Sequence, residues 1–436
     1  MRILHTSDWH IGHRLYGQYR HEEHSLFFDW LHQQLIEKEI DALIIAGDVF
    51  DTHNPSAEST RLYYNFLMRV HLSLRHLKTV VIGGNHDSSQ RLDAHREVLK
   101  ALNTYVIGGL PKIHSSTWND LYVHVKSMRS GEEVWIAAVP FLKASDLPLK
   151  PSEDDHRMIN GVREVYQWVV DKLEDKITDD QALILTGHCE MSSGLLSLDS
   201  ERRPRGYGDH SLPTDVFTTS ESIRPAYIAL GHLHLAQEIS SLDHIRYSGA
   251  PLAFSIAERD YPHQVLCVEF ESARVKSITP LLVPEEIKVK MIRIPKIDSD
   301  AQSNIQMSFD EVIRELKRLP KLDESQPDWR RPLLQVNIHS EHPDPNIKVK
   351  VINTLKDKHV RLAKISITYP KAKSRGASEE LPPRTYLSDI DPSAIFKARW
   401  KSRRGEDPPE DQTELFREIR DEARAELAVE NSEPVR

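Results

Sequence analysis

The sequence predicts an α/β fold, in which strands and helices alternate through the first 280 residues and a smaller α/β module follows. Apolar runs of strand length occupy residues 41–46 and 78–82, and each ends at glycine and polar residues. Between and before these runs, apolar residues recur at the three- and four-residue spacing of a helix face, as in Leu62–Val70. Strands that alternate with such helices are typical of a sheet covered by helices.

The N-terminal domain is predicted over residues 1–280 and begins with a short apolar strand, Ile3–Leu4. A first helix is predicted over residues 26–35, from its apolar spacing. After a variable middle region, two further buried strands are predicted at residues 182–185 and 226–230, followed by short strands. This order continues the α/β pattern to the end of the domain.

Residues 285–370 are predicted to form a separate small α/β module. Ser308 opens its first helix, and Glu311 completes a capping box three residues later. The other elements are predicted from apolar runs: strands at residues 287–294, 333–340 and 360–369, and a helix around residues 349–356. Pro370 closes the module.

Residues 371–436 are predicted to be a linker followed by a helical tail. Asp391 and Pro392 are typical of a helix start, and two short apolar helix faces follow. These faces comprise Ile395, Phe396 and Trp400, and then Leu415, Phe416, Ile419, Ala423 and Leu427. Such helices suit docking to a partner; the alternative is a pair of helices folded back on the protein's own surface.

Composition indicates an ordinary globular protein. The chain of 436 residues is too long for one compact core, and its 39% hydrophobic and 28% charged residues are ordinary values. Its two cysteines, Cys189 and Cys267, argue against a disulfide framework and favour a reducing compartment. Because neither a signal-peptide pattern nor an apolar stretch of membrane length occurs, we expect a cytoplasmic protein.

The charge and the histidine content bear on the class of ligand. A formal net charge of −9 argues against a generic nucleic-acid binder. A cationic metal site or a local basic patch can nevertheless bind phosphates on an acidic protein. The 23 histidines are a high number, and they favour a metal or proton-transfer site.

Side chains of metal-ligand type follow five of the predicted strands. Sites in α/β sheets gather at the loops beyond the carboxyl ends of strands, so we expect these five ends to converge on one pocket. The candidate metal ligands are Asp8, His10, Asp48, Asn85, His188, His232 and His234, with His86 beside Asn85. Each short motif alone is also common turn chemistry, but turns do not predict that all five follow apolar strands.

Carboxylate and imidazole ligands without thiolates suit manganese, iron or zinc in a catalytic site. Asp48 stands alone at its strand end and is the best candidate to bridge two ions. The other ligands are expected to divide into Asp8, His10 and His234 for one ion, and Asn85, His188 and His232 for the other. Two ions about 3.5–4 Å apart clamp a phosphate and activate a water. His86 then remains to stabilise the transition state and to protonate the leaving oxygen.

Other histidines and Trp9 are predicted to be structural. The segment from His21 to His24 is one residue too short for the H-E-x-x-H motif of zinc proteases, so both histidines are predicted to be helix-surface or packing residues. Motif support as ligands is lacking for His5, His13, His53 and His114. If the extended conformation of the first strand continues to residue 10, Trp9 points away from its two neighbours by strand alternation, which predicts a packing role.

The series of motifs resembles the calcineurin-like metallophosphoesterases. The motifs are Asp8-Trp9-His10, Gly47-Asp48-Val49-Phe50-Asp51, Gly84-Asn85-His86-Asp87, Gly187-His188 and Gly231-His232-Leu233-His234. Within that superfamily, the segments ILHTSDWHIG, ALIIAGDVFDT and YIALGHLHLAQ are similar to the SbcD family of bacterial nuclease subunits. The resemblance covers about the first 280 residues well, weakens beyond them, and returns as a short pattern at Leu387–Ile390 and Ile395–Phe396.

This resemblance implies a β-sandwich flanked by helices, two Mn²⁺ ions and hydrolysis of DNA phosphodiester bonds. It implies exonuclease action on double-stranded ends and endonuclease action on hairpins or single strands. It also implies a homodimer bound to two SbcC-like coiled-coil ATPase subunits, with ATP acting only through that partner. The ligand set above agrees with the family scheme, and His86 matches its catalytic histidine. The module at residues 285–370 is implied to be a DNA-facing capping domain, and the tail is implied to dock onto the coiled coil.

Some related sequences carry a second histidine three positions after the bridging aspartate, where this chain has Asp51. Asp51 is therefore expected to hold a histidine ligand or an ordered water, and Asp87 is also expected to support the ligands from outside. The candidate DNA contacts are Arg202, Arg203 and Arg205, with a second basic cluster at residues 397–404. A solvated basic face is the alternative for each cluster.

Three functions are compatible with these features. The first is a manganese-dependent DNA nuclease with an ATPase partner, and the second is a stand-alone phosphodiesterase acting on nucleotides or small phosphate esters. Both use the same metal centre, but the small module and the tail favour the first, because a small-molecule enzyme needs neither. A catalytically dead scaffold for DNA ends is disfavoured by the complete set of seven ligands and the histidine.

Overall fold

The computed structural model describes residues 1–112, 116–148, 156–195, 211–218, 223–295 and 307–369, together with parts of residues 393–420. The chain divides into two compact units, Met1–Pro370 and Lys371–Arg436. The three-part domain division stays a prediction. None of the helices in the described part of the chain is long and apolar enough to cross a membrane.

Strands and helices alternate along the first unit. The strands are β1 (Arg2–Thr6), β2 (Arg14–Leu15), β3 (Gln18–Tyr19), β4 (Ala42–Ala46), β5 (Lys78–Ile82), β6 (Thr104–Ile107), β7 (Tyr122–Lys126), β8 (Glu133–Ala137), β9 (Ala182–His188), β10 (Tyr227–Gly231), β11 (Gln237–Ile239), β12 (Leu242–Tyr247), β13 (Gln264–Glu271), β14 (Arg274–Leu282), β15 (Met291–Ile294), β16 (Leu333–His339) and β17 (Arg361–Thr368). The α-helices are α1 (His21–Glu37), α2 (Ala57–Ser73), α3 (Ser89–Asp93), α4 (Arg96–Lys100), α5 (Arg157–Asp171), α6 (Phe309–Arg318) and α7 (Ile347–Leu355).

Two six-stranded mixed sheets form the larger part of this unit. The first has the order β14-β13-β1-β4-β5-β6, in which β1, β4, β5 and β6 run parallel and β13 runs antiparallel to β1. The second has the order β11-β12-β10-β9-β8-β7, in which β8, β9, β10 and β12 run parallel. The predicted fold class, an α/β sandwich with flanking helices, is confirmed.

The alternation of side chains along β4 shows how the layers pack. Ala42, Ile44 and Ala46 lie in the apolar cluster shared with the second sheet, whereas Leu43 and Ile45 pack among α1 and α2. All five are fully buried. A strand buried on both faces has a nearly continuous apolar sequence. This explains why the sequence predicted β4 clearly.

The structure adds elements in the middle of the chain that the sequence analysis did not predict. These are β6, β7, β8 and α5, which complete the edges of the two sheets and cover the second one. Helix α5 buries Val162, Val165 and Val169, which recur at the spacing of one helix face. The sequence therefore contains the apolar helix pattern of α5, although this helix was not predicted.

The small module is a parallel sheet, β15-β16-β17, packed against α6 and α7. Helix α6 follows Ser308 as predicted, and the Ser308 N–H donates to Glu311 Oε2 at 2.8 Å. The strand predicted over residues 287–294 is shorter, because residues before β15 form turns and the Val289 N–H donates to Glu23 Oε1 at 2.9 Å. Helix α7 starts two residues before the predicted position, at Ile347.

In the second unit, the described side chains include a small aromatic cluster. Phe396 stacks on Phe416 with 4.4 Å between ring centroids, and Trp400 lies 5.7 Å from Phe396. Leu415 is 50% exposed. Several predicted tail and DNA-contact residues lie outside the described residues: Asp391, Pro392, Ile395, Ile419, Ala423, Leu427, Arg202, Arg203 and Arg205.

One buried histidine lies between the two sheets. His5 on β1 is fully buried, and its Nδ1 lies 3.0 Å from the Tyr227 hydroxyl. Burial lowers the pKa of His5 from 6.5 to about 3. Between these two pH values the unfolded chain binds a proton at this position that the folded protein does not bind. The contribution of this histidine to the free energy of unfolding is therefore fully present above pH 6.5 and is lost as the pH falls.

We expect the acid sensitivity of the fold to decrease when His5 is removed. Between pH 6 and the folded pKa of about 3, the free energy of unfolding of metal-free protein should fall with pH by about 1.4 kcal/mol per unit more steeply in the parent than in His5→Leu. Urea unfolding at several pH values measures both slopes. His244→Leu, at a partly exposed histidine on β12, is the control and should keep the parental slope. Equal slopes for the parent and His5→Leu would contradict the prediction.

Candidate metal centre

Five strand ends meet at one edge of the sandwich. β1, β4 and β5 run parallel in the first sheet, β9 and β10 run parallel in the second, and β4 packs against β9 and β10. The loops after β1 and β4 are joined through the main chain, since the Asp8 N–H donates to Gly47 O at 3.0 Å and the His10 N–H to Asp48 O at 2.9 Å. The structure thereby brings together all eight residues predicted for the site.

Four of the candidate ligands have a left-handed backbone. The φ angles are 53° at Asp8, 42° at His10, 50° at Asp48 and 103° at His232. Residues other than glycine seldom adopt such angles, and each costs on the order of 1–3 kcal/mol. Backbone strain of this kind concentrates at functional sites, where the surrounding structure holds it in place.

Two glycines allow the loops to approach this closely. A Cβ atom at Gly47, whose φ is 91°, would lie 2.2 Å from His188 Nδ1. A Cβ atom at Gly84 would lie 2.1 Å from Asp48 Oδ1. Any larger residue at either position would therefore displace a candidate ligand.

The first half-site contains Asp8, His10 and His234, whose ligand atoms lie within 4.8 Å of one another. The Asp8 carboxylate accepts the His232 N–H at 3.0 and 3.2 Å and the Ser7 hydroxyl at 2.5 Å. These bonds fix the carboxylate before any cation binds.

The second half-site contains Asp48, His188 and His232, again within 4.8 Å. His188 Nδ1 donates to Ala46 O at 2.9 Å, which directs its Nε2 into the site. Asn85 Oδ1 lies 3.0 Å from this Nε2 and 3.1 Å from His232 Nδ1. The side-chain oxygen of Asn85 therefore sits between the two imidazoles.

Asp48 lies between the two half-sites. Its Oδ2 is 3.5 Å from His10 Nε2 on one side and 3.3 Å from His188 Nε2 on the other. This is the position that the sequence predicted for a bridging carboxylate. A carboxylate there can contact a cation in each half-site.

His86 approaches the same cluster and is half-buried. Its backbone N–H donates to Asp48 Oδ1 at 2.8 Å, and its Nδ1 donates to the Asp51 carbonyl at 2.8 Å. It also forms a third group of close ligand atoms with His10 and Asp48. The hydrogen bond at Nδ1 leaves the other ring nitrogen for a substrate.

Asp51 and Asp87 surround the ligands. Asp51 Oδ1 lies 3.5 Å from His10 Nδ1. Asp87 accepts the backbone N–H groups of Val49, Phe50 and Gly84 at 3.1, 2.9 and 2.9 Å, and so ties the loop after β4 to the loop after β5. The effect of both aspartates on bound ions stays a prediction.

Burial and mutual charge shift the pKa values of the site. Burial raises the pKa of Asp8. At Asp48 burial alone would also raise the pKa, but His188, His10 and His86 lower it well below its ordinary value. Burial opposes the charge of His188, yet the Asp48 and Asp8 carboxylates raise its pKa to about 9.

The residues present fit a pair of divalent cations. Among the described residues, the buried nitrogen His10 Nε2 has no hydrogen-bond partner. Buried polar atoms are costly when they are unpaired, and a cation would satisfy this one. Nitrogen and oxygen donors without thiolate suit manganese, iron or zinc.

Sequence reasoning missed Glu258, whose Oε1 lies 3.1 Å from His234 Nδ1. It also missed Phe254, whose ring centroid lies 4.8 Å from that of His10 and 4.9 Å from that of His234. Phe254 precedes a short 3₁₀ turn and Glu258 ends it, and this segment has no strand or helix periodicity, so no sequence pattern indicates them.

Trp9 and His24 pack inside the protein as predicted, but strand alternation does not place Trp9, because β1 ends at Thr6 and Asp8 and His10 have positive φ angles. Trp9 is fully buried, and its ring packs edge-on against Phe27, Phe28 and Phe66. His24 is buried, with its Nε2 2.8 Å from Trp9 O. His114 lies outside the described residues.

Comparison with known families agrees with this geometry. Residues 1–236 match the family described as calcineurin-like phosphoesterase, and residues 289–404 match the one described as type 5 capsule protein repressor C-terminal domain. The fold and the paired half-sites define a metallophosphoesterase, which is a metal-binding hydrolase.

Among individual relatives, the SbcD subunit of the nuclease SbcCD from Rhodobacter capsulatus is 33% identical over 402 residues, which cover 91% of this chain and 94% of that protein. The SbcD subunit of the same nuclease from Escherichia coli K12 is 34% identical over 297 residues, covering 65% and 68%. A dimetal phosphatase from Danio rerio superposes with a TM-score of 0.39 and 11% identity, covering 64% and 95%. The chain belongs to the SbcD family of nuclease subunits.

Proposed function

We propose that this protein is the nuclease subunit of an ATP-dependent complex for DNA repair and recombination. It hydrolyses DNA phosphodiester bonds with two Mn²⁺ ions, as an exonuclease on double-stranded ends and an endonuclease on hairpins and single strands. It works as a homodimer with an SbcC-like ATPase, and ATP acts through that partner.

The similarity to the Rhodobacter capsulatus protein carries this proposal. That similarity covers 91% of the chain, so it includes the metal centre, the small module and part of the tail. A stand-alone phosphodiesterase would need only the metal centre. The length of the match therefore favours a subunit of an assembly over a small-molecule enzyme.

The site residues have distinct roles in the proposed reaction. Asp8, His10 and His234 would hold one cation, Asn85, His188 and His232 would hold the other, and Asp48 would serve both half-sites. When bound, the two cations supply positive charge against the scissile phosphate and lower the pKa of the attacking water. His86, oriented by its hydrogen bond to the Asp51 carbonyl, stabilises the charge that develops on the phosphate and protonates the leaving oxygen.

Binding to DNA requires positive charge in addition to the metal centre. The cluster at Arg202, Arg203 and Arg205 and the cluster at residues 397–404 are our candidates for phosphate contacts. The tail is our candidate for docking onto the ATPase, and the small module for facing DNA.

A nuclease assay tests the proposed function. The purified chain is mixed with labelled linear duplex and hairpin DNA in Mn²⁺, Mg²⁺ or a chelator, with and without the ATPase and ATP. We expect degradation of the duplex and opening of the hairpin in Mn²⁺, and no cleavage in the chelator. Relaxed, covalently closed circular duplex is the matched control, since it has neither an end nor a hairpin.

The opposite result would identify the other enzyme class. Hydrolysis of bis(p-nitrophenyl) phosphate or of nucleotides, without cleavage of any DNA substrate in the presence of the ATPase, would overturn the nuclease proposal. It would favour the stand-alone phosphodiesterase.

A further inference from the structure

Glu258 is a fully buried carboxylate at the end of the 3₁₀ turn Ile256–Glu258. Its Oε1 lies 3.1 Å from His234 Nδ1, and its Oε2 accepts the Phe254 N–H at 2.7 Å. A carboxylate has only acceptor oxygens, so His234 Nδ1 must be the donor in this bond. The proton is then on Nδ1, and Nε2 of His234 carries the lone pair of the neutral ring.

We propose that Glu258 is a positioning residue for the metal half-site of Asp8, His10 and His234. It fixes the protonation and the orientation of His234, so that Nε2 faces the cation. Both side chains are buried, with His234 only 5% exposed, so water does not readily replace the bond. The inference rests on the proposed function only in requiring that the half-site binds a divalent cation.

The segment that leads into this turn contacts the same half-site a second time. The Phe254 ring packs against His10 and His234, and the Phe254 N–H is the second donor to Glu258. Arg20 holds the preceding residue, since its Nη1 donates to Ala253 O at 2.5 Å. Glu258 therefore bonds to His234 and to the backbone of Phe254, whose ring packs against both histidines of the half-site.

The two acceptor oxygens explain why glutamine cannot substitute for Glu258. Glutamine has one acceptor oxygen and one amide group that only donates. If the oxygen faces the Phe254 N–H, the amide NH₂ group faces His234 Nδ1. Nδ1 must then be the acceptor, so the ring proton is on Nε2. A protonated Nε2 cannot bind a metal. If the oxygen faces His234, the Phe254 N–H loses its acceptor.

Titration of the full chain with Mn²⁺, followed by electron paramagnetic resonance, tests this role. The parent should bind two ions. Glu258→Gln should weaken one of the two sites by about 10–100-fold, which is typical for loss of an outer hydrogen-bond partner, and leave the other at its parental affinity. Glu258→Asp, which keeps both acceptors, should fall between the parent and Glu258→Gln.

A matched control separates positioning from general stability. Asp41 is a buried aspartate at the opposite end of β4 from Asp48, and its carboxylate accepts the Arg2 N–H. Asp41→Ala should lower Tm and leave both Mn²⁺ affinities unchanged. The proposal is overturned if Glu258→Gln binds both ions like the parent, or if both sites weaken equally as Tm falls.

The outcomes also separate this role from the proposed function. A parent that binds two ions but cleaves no DNA would sink the nuclease proposal, and selective weakening in Glu258→Gln would still support the positioning role. A parent that cleaves DNA while Glu258→Gln keeps both affinities would leave the nuclease proposal standing and remove the positioning role.

Discussion

Asp48→Ala is expected to weaken both metal sites and to abolish detectable cleavage of DNA. Asp48 Oδ2 lies between His10 Nε2 and His188 Nε2, so its loss removes a negative charge and a candidate ligand from each half-site. The affinity for each ion should fall by more than the roughly 100-fold that loss of an outer partner costs. Without the ions, the site has no charge to stabilise the transition state at the phosphate.

Asp41→Ala is the matched control for this change. Asp41 immediately precedes β4, at the opposite end of the strand from Asp48, and it is also buried. It accepts the Arg2 N–H at 2.8 Å, so its removal should cost about 1–3 kcal/mol of stability. Mn²⁺ titration and the nuclease assay should find both sites and the activity intact in Asp41→Ala. Two parental affinities in Asp48→Ala would refute the bridging role.

The metal centre was predictable from the sequence because of how its strands are buried. β4, β5, β9 and β10 are apolar nearly throughout, so their ends stand out wherever a polar residue follows. Parallel strands bring such ends to one edge. The choice of Asp48 as the bridging carboxylate rested on its residue type and on its standing alone at its strand end.

The supporting residues were not predictable, because tertiary packing alone brings them to the site. Glu258 is 24 positions from His234, and Ser248, which lies 2.8 Å from the Ser7 hydroxyl, is 241 positions from Ser7. Nothing in the local sequence marks either pair. Likewise, β7 pairs with β8, and β8 pairs with β9, at the far edge of the second sheet, where no candidate ligand follows β7 or β8.

Packing also connects the small module to the metal centre. Leu15, in the β2–β3 hairpin, is buried with Val289 and with Leu333 of β16. The next residue of the hairpin, Tyr16, accepts the Ile256 N–H at 3.2 Å through its hydroxyl. Ile256 opens the turn that ends at Glu258. A continuous set of contacts therefore runs from the module to the His234 half-site.

His86→Ala is expected to lower kcat by about 10²–10⁴-fold, the range for loss of a general acid, and to leave both ions bound. The contact between residue 86 and Asp48 is made by the backbone N–H, so alanine keeps it. The substitution removes only the ring and its bond to the Asp51 carbonyl. Single-turnover cleavage and Mn²⁺ titration measure the two effects separately.

The titration decides between two roles for His86, since its ring also lies close to His10 and Asp48. As a group that acts on the substrate, it can be removed without loss of metal, and kcat and kcat/KM should fall together. As a ligand, its removal would weaken one metal site, and added Mn²⁺ would restore the rate. His53→Ala, in the same loop region as Asp51 but exposed, should change neither quantity. Full activity in His86→Ala would exclude both roles.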